Sequence, residues 1–387
     1  MGNRSFAFFL MIFLLCCGIS GPKWDTKSGV IIQKISDIGL FEEITSLEKS
    51  YPHKTMQSEG IAGAAGGMHL KAFKSGIYFV RLPLPQLIDF QCPLYYSLRA
   101  NPESTLEEKK IQQDISKNAF LILKFKAEKN QEIRLEWSSA VLLRDKPFVN
   151  NESKADAFIS STPCVQSDST MIKQLSEKLF PDNKSIKKYA ENIRTFIMEM
   201  KQKKQPKSLD AVEILESRCN FICTSNANLA AALFRARNIP ARSVACLPII
   251  SSRFEMHRIV EYFDDGKWFS FDPSGVFGDI PLKPQQNVIM SKTSLEDEKE
   301  SMKLRPGSMP GAPFGQEAEF ANLGLNLFGE DFFWSIALPL AEFEISDEDA
   351  EKCANLWKQF LQSGNVDERQ NKAALSRTQE DFQNSLK

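Results

Sequence analysis

The chain predicts an α+β architecture, and three observations carry that expectation. Between residues 76 and 150, short runs of β-branched and aromatic residues alternate with polar turns. After Cys164, apolar residues recur at helical spacing. From Cys223 onward an Ala-rich segment gives way to three further short apolar strands. Strands grouped first and helices grouped after them describe segregated layers rather than an alternating βαβ sheet.

The strand runs are Ile77-Tyr-Phe-Val-Arg-Leu82, Ala119-Phe-Leu-Ile-Leu-Lys-Phe125, Glu132-Ile-Arg-Leu-Glu-Trp137 and Ala140-Val-Leu-Leu143. Polar turns separate them, so they predict a small antiparallel β domain over 76–150. Ahead of it, residues 21–75 show little pattern. Gly60-Ile-Ala-Gly-Ala-Ala-Gly-Gly67 is low in complexity and is read as a flexible connector.

Helices follow. Ile172, Leu175 and Leu179 mark one, and Ile186, Tyr189, Ile193, Phe196, Ile197 and Met200 mark the apolar face of a longer one. A short helix near 209–216 leads to the segment opened by Cys223, whose Ala and Leu content favours helix. Strands are expected over 243–250 and in a pair spanning 256–273. Residues 286–330, rich in Gly, Pro and charge, are read as a long loop. The last section, 331–387, predicts a core strand at 332–338, a helix capped by Ser346 and Asp349, and a polar tail.

Composition narrows the function. The chain has 387 residues, 42% hydrophobic and 25% charged, with net charge −1. That describes a globular protein with no basic excess for nucleic acid and no acidic tail. Residues 1–20 resemble a secretory signal: Arg4, then an uncharged apolar run from Phe6 to Cys17, too short to span a bilayer comfortably. Leu14-Leu15-Cys16-Cys17-Gly18 also fits a lipoprotein box, with Cys17 as the lipidated residue. Simple cleavage, lipidation at Cys17 and an uncleaved anchor all remain open. Each places the chain outside the cytoplasm, secreted or held on the extracytoplasmic face.

Chemistry concentrates on three residues. Cys223, His257 and Asp272 fall on successive elements of one compact unit, and the chain holds only three histidines. A helix N-terminus or a neighbouring imidazolium favours thiolate over thiol, and the first backbone N–H groups of a helix can face a developing oxyanion. If Asp265-Gly266 forms a two-residue hairpin turn, Phe263 lies opposite Trp268. His257 and Asp272 are then diagonal neighbours on one face, where the carboxylate would orient the imidazole. A three-residue turn would put them on opposite faces. Blander readings exist: a buried thiol, a satisfied strand-end histidine, a turn-opening Asp before Pro273. Cys219 and Cys223 could also bridge, or join Cys246 and His257 around zinc, though that spacing matches no compact zinc module.

The segment 209–273 is similar to the transglutaminase-like core. The resemblance rests on a cysteine opening a helix, Ala-Ala-Leu-Phe-Arg235, Asn238-Ile-Pro-Ala-Arg242, His257, and Gly-Lys-Trp268-Phe-Ser-Phe-Asp272-Pro273. The family's spacing from cysteine to the Arg of its Ile-Pro-Ala-Arg element selects Cys223 over Cys219. It implies a papain-related fold, a Cys-bearing helix packed on an antiparallel sheet, over about 165–285 (domain 160–285). It also implies a Cys223–His257–Asp272 triad. The chain departs from the pattern at Phe221 and Asn238, where the family usually has Gly, and at Arg258-Ile259 after the histidine. No upstream Trp lies between Trp137 and Cys223 as a side-chain oxyanion donor.

The expectation is therefore an exported transglutaminase-like cysteine enzyme, taking a protein or peptide substrate and using neither metal nor organic cofactor. Hydrolysis is slightly favoured over transamidation. The alternative, motivated by Phe221, is a catalytically silent binding or adaptor protein on the same core.

Overall fold

The computed structural model describes residues 41–42, 44–45, 56–114, 117–148, 155–181, 185–220, 222–249, 256–302, 325–327, 333–342 and 344–363. The signal-like segment with Cys17, Phe221 and most of the 303–332 stretch lie outside them.

The β-rich part begins with β1 (Gly60–Ala72), β2 (Gly76–Pro83), β3 (Gln91–Asn101), β4 (Leu106–Gln113), β5 (Ala119–Ala127) and β6 (Glu132–Leu143). β2, β5 and β4 form one antiparallel sheet in that order, and β1, β6 and β3 run side by side in another. Tyr78, Val80 and Leu82 point inward from β2 while Ile77 and Phe79 face out, the alternation of a half-buried strand. Both sheets contribute to one apolar core.

The Gly-rich run expected to be a flexible connector is instead the centre of a sheet. β1 pairs with β6 along one edge and with C-terminal strands along the other. Its small residues are needed for packing: a Cβ at Gly66 would sit 2.5 Å from the Trp137 indole, and one at Gly67 2.6 Å from that of Trp334. Low side-chain volume here makes room for two indoles.

The core that follows contains α1 (Thr170–Leu179), α2 (Ile186–Met198), α3 (Ala211–Ser217) and α4 (Cys223–Arg235). These helices accompany a four-stranded antiparallel sheet of β7 (Ala241–Pro248), β8 (His257–Asp264), β9 (Lys267–Phe271) and β10 (Asn287–Lys292), in the order β10–β7–β8–β9. β10 lies within the stretch read as a long loop. β11 (Leu325–Leu327) and β12 (Phe333–Glu342) then add to β1, so the end of the chain completes the first sheet rather than forming a separate unit. α5 (Asp347–Ser363) starts with Ser346 Oγ accepting from Asp349 N at 3.1 Å, a capping contact.

Every residue of α4 after Cys223 is buried. Three alanines in its middle, Ala230 to Ala232, let neighbours approach closely, and Phe234 anchors it to the hairpin. That ring stacks on Tyr262 (5.0 Å) and meets Phe271 (5.5 Å) and Tyr189 (5.2 Å) edge-on. Each such pair contributes roughly 0.5–1.5 kcal/mol beyond the area it buries. At the C-terminal end of α4, Arg235 is fully buried and bidentate to Glu298, at 2.7 and 2.9 Å. It also donates to Ala241 O and Ser160 O.

The two parts are joined through side-chain amides. β10 is an edge strand, and Gln91 imitates a neighbouring strand: Nε2 donates to Ile289 O (2.8 Å) while Oε1 accepts from Ile289 N (2.7 Å). Asn118 does the same for Lys292, at 2.7 and 2.8 Å. Buried backbone groups left without partners are costly, so these amides close an edge that would otherwise need a strand.

Candidate active site

The thiol sits where the chain enters α4. Ile222 is extended (φ −142°) and forms the N-cap position, and Ser225 Oγ both donates to Ile222 O and accepts from Ile222 N. Cys223 is the first helical residue and is partly exposed. The opening N–H groups of a helix have no intrahelical acceptor, so those at Cys223 and Thr224 are directed out of the helix beside the sulfur.

His257 opens β8 and pairs across the sheet with Cys246. Asp272 follows β9 directly. The β8–β9 register runs from Asp264↔Lys267 through Phe263↔Trp268 to Val260↔Phe271, leaving the two-residue turn the sequence required. Asp265 and Gly266 both have positive φ (+46° and +75°), the type I′ geometry that an Asp-Gly pair suits. His257 Nε2 lies 3.1 Å from Asp272 Oδ1, with both side chains buried.

Asp272 is wholly buried, and its charge is met by donors. Oδ1 accepts from Ser274 N (2.8 Å) and Oδ2 from Phe277 N (3.1 Å). Burial opposes a charge on His257, yet its hydrogen bonds to Asp272 and Cys223, and their negative charge, raise it to about 9. Near neutrality that shift favours the imidazolium form of the ring. The Phe277 ring meets it edge-on at 6.3 Å.

The structure thus brings together all three residues singled out in the sequence. It also adds Ser274 and Phe277, whose backbone N–H groups hold the carboxylate; nothing in their side-chain chemistry advertised that role. Arg258 turns to the opposite face from His257, where it donates to Ser243 Oγ and Thr293 Oγ1. Asn238, standing where the family pattern has Gly, adopts φ +55°, a left-handed conformation Asn tolerates. Arg242 bonds Glu261 (2.7 Å) and lies 4.1 Å over the Trp268 ring, stitching β7 to β9 across β8. Burial alone would raise the Glu261 carboxyl, but the charges of Lys292 and Arg242 hold it below its ordinary range.

The six cysteines among the described residues form no disulfide, so the Cys219–Cys223 bridge is not made. No cluster of three or more metal-ligating side chains occurs among those residues, and Cys246 Sγ contacts Asn287 Oδ1 at 3.2 Å. A cavity of about 820 Å³ opens between the β-rich part and the hairpin, lined by Phe90, Ile259, Glu261, Trp268 and Lys292. None of the three candidate residues lines it.

Residues 172–273 match the model of the transglutaminase-like superfamily. This section of the chain is similar to a transglutaminase-like core, and its helices on an antiparallel sheet, with the β-rich part before them, form an α+β fold consistent with that core. Among solved structures, a candidate cysteine protease from Cytophaga hutchinsonii aligns at 17% identity with a TM-score of 0.50. The alignment covers 76% of this chain and 96% of that one. The periplasmic domain of TgpA from Pseudomonas aeruginosa aligns at 14% identity and a TM-score of 0.28, over 60% of this chain and 93% of that one. No curated protein sequence matches the chain. No described helix is long and apolar enough to cross a membrane.

Proposed function

We propose that the protein is an exported cysteine enzyme that cleaves peptide or carboxamide bonds through a thioester on Cys223. The observation that carries this reading is His257, whose Nε2 lies 3.1 Å from the buried Asp272 carboxylate and whose charged form is favoured by both Asp272 and Cys223.

Cys223 sulfur attacks the carbonyl carbon, and the C=O π electrons move onto oxygen. The N–H groups opening α4 are the available donors for that oxyanion. As the oxyanion collapses the C–N bond breaks, and imidazolium His257 gives its proton to the departing nitrogen. Neutral His257 then takes a proton from water, whose oxygen attacks the thioester. That second oxyanion collapses with cleavage of the C–S bond, so the acid leaves and the sulfur is released beside the His257 imidazolium, as at the start. Asp272 keeps Nε2 engaged throughout. An amine in place of water would give transamidation by the same steps; water, always present, favours hydrolysis. Export rests on the Phe6–Cys17 run, and the mass of the mature N-terminus tests it.

The enzymatic reading is tested by trapping the intermediate. Incubation with p-nitrophenyl acetate should give an acetyl adduct mapped to Cys223, discharged by water and faster by hydroxylamine. The adduct should be absent from Cys223→Ser and strongly reduced in His257→Ala. Acetylation spread over several cysteines, unchanged in His257→Ala, would favour a silent binding protein.

A further inference from the structure

The helix that carries the sulfur and the turn that carries the carboxylate come from separate parts of the sequence, yet one buried side chain connects them. Asn226 lies one turn into α4 and is 1% exposed. Its backbone N–H makes the helix's opening hydrogen bond, to Ile222 O at 3.1 Å. Its Nδ2 donates to Asn220 Oδ1 (2.7 Å), in the loop entering the helix, and to Ser274 Oγ (3.1 Å). Ser274 in turn donates its backbone N–H to Asp272 Oδ1, the same oxygen that faces His257 Nε2. A path of two hydrogen bonds therefore runs from the first turn of the thiol's helix to the carboxylate that orients the imidazole.

Helix propensity does not explain an asparagine here. Asn is a poorer helix former than Ala and its amide is costly to bury; Nδ2 makes both of the bonds above, while Oδ1 has no hydrogen-bond partner among the described residues. We propose that Asn226 is a positioning residue: it clamps the Cys223 end of α4 to the Asp272 turn and so sets the sulfur against His257. The inference rests on the reading of Cys223 and His257 as a reacting pair. Asn228, two residues on, supplies an internal comparison. It is equally buried, but its Nδ2 donates to Leu209 O (3.0 Å), away from Asp272. A clamp role predicts different consequences for these two amides, whereas a purely structural role predicts the same.

The test is the rate of iodoacetamide alkylation at Cys223 across pH, read by peptide mass spectrometry, alongside thermal unfolding. Asn226→Ala should slow alkylation at neutral pH about fivefold to tenfold, the scale of one lost neutral hydrogen bond, and shift the pH profile. Ser274→Ala, which removes the receiving oxygen but keeps the backbone donor to Asp272, should slow it less. Asn228→Ala should lose thermal stability while keeping the wild-type profile. If Asn226→Ala does not fold, Ser274→Ala against Asn228→Ala decides the matter. Wild-type alkylation no faster than that of an unfolded thiol would overturn the reactive pair and the clamp together. A fast wild-type thiol with unchanged profiles in Asn226→Ala and Ser274→Ala, or an equal slowing in Asn228→Ala, would overturn the clamp alone.

Discussion

Replacing Glu298 by Ala tests the strap that holds the thiol-bearing helix in place. Arg235 ends α4 with its side chain wholly buried, and Glu298 supplies the opposing charge through two short bonds. Glu298 also accepts from Thr162 Oγ1 at 2.8 Å, so the strap reaches the segment before α1. Removing one partner of a buried ion pair costs about 3–5 kcal/mol, because the other charge is left uncompensated. The carbonyls of Ser160 and Ala241 still receive two of the guanidinium's donors, which places the cost at the lower end, about 3 kcal/mol. For a domain of this size each kcal/mol moves Tm by about 2–4 °C, so the expected fall is roughly 6–12 °C. Differential scanning calorimetry reads it. The double variant Arg235→Met with Glu298→Leu should recover most of the loss, because it removes both charges. A fall below about 1 °C in Glu298→Ala, or a double variant worse than the single, would refute the reasoning.

Other outcomes follow from the same structure. Asp272→Asn keeps the side chain's shape but removes the charge behind His257. The alkaline limb of activity, which follows loss of the imidazolium near pH 9, should move toward neutrality, with a large fall in turnover. Because His257 is raised in the folded protein from 6.5 to about 9, its stabilising contribution is complete below about pH 6.5 and is lost as pH rises through 9. Urea unfolding of wild type should therefore weaken over that window more than unfolding of His257→Gln. Gly66→Ala drives a methyl into the Trp137 indole and should cost about 1–3 kcal/mol, read by urea midpoint; a neutral result would mean the strand can shift. Gln91→Ala leaves the buried Ile289 N–H without its acceptor, while Ile289 O keeps the Gln86 N–H at 3.1 Å, and should destabilise by about 1–3 kcal/mol.

The sequence disclosed the core well and the β-rich part unevenly, for physical reasons. The helix faces from Ile172 to Met200 were legible because burial on one side enforces a helical period. The hairpin was legible because Asp265-Gly266 suits positive φ at both positions. β4 was not anticipated: it is an edge strand whose Leu106-Glu-Glu-Lys-Lys-Ile run is mostly solvent-facing, so no apolar alternation marks it. β3 opens with Pro93 and a bulge, which obscures its pattern. β1 was misread because small residues signal flexibility locally, and only the indoles of Trp137 and Trp334 show why they are small. Cys223, His257 and Asp272 could be named from residue type and spacing. The donors on Asp272 and the Asn226 bridge depend on chain crossings that no local pattern records.

The central claim is that His257 activates the sulfur of Cys223, and alkylation kinetics test it most directly. Wild-type Cys223 should react with iodoacetamide at pH 6–7 well above the rate of an unfolded thiol, where few thiols are ionised. In His257→Ala that advantage should vanish while the fold, read by circular dichroism, stays intact. A Cys223 that reacts slowly in the wild type, or equally fast with and without the imidazole, would contradict the account.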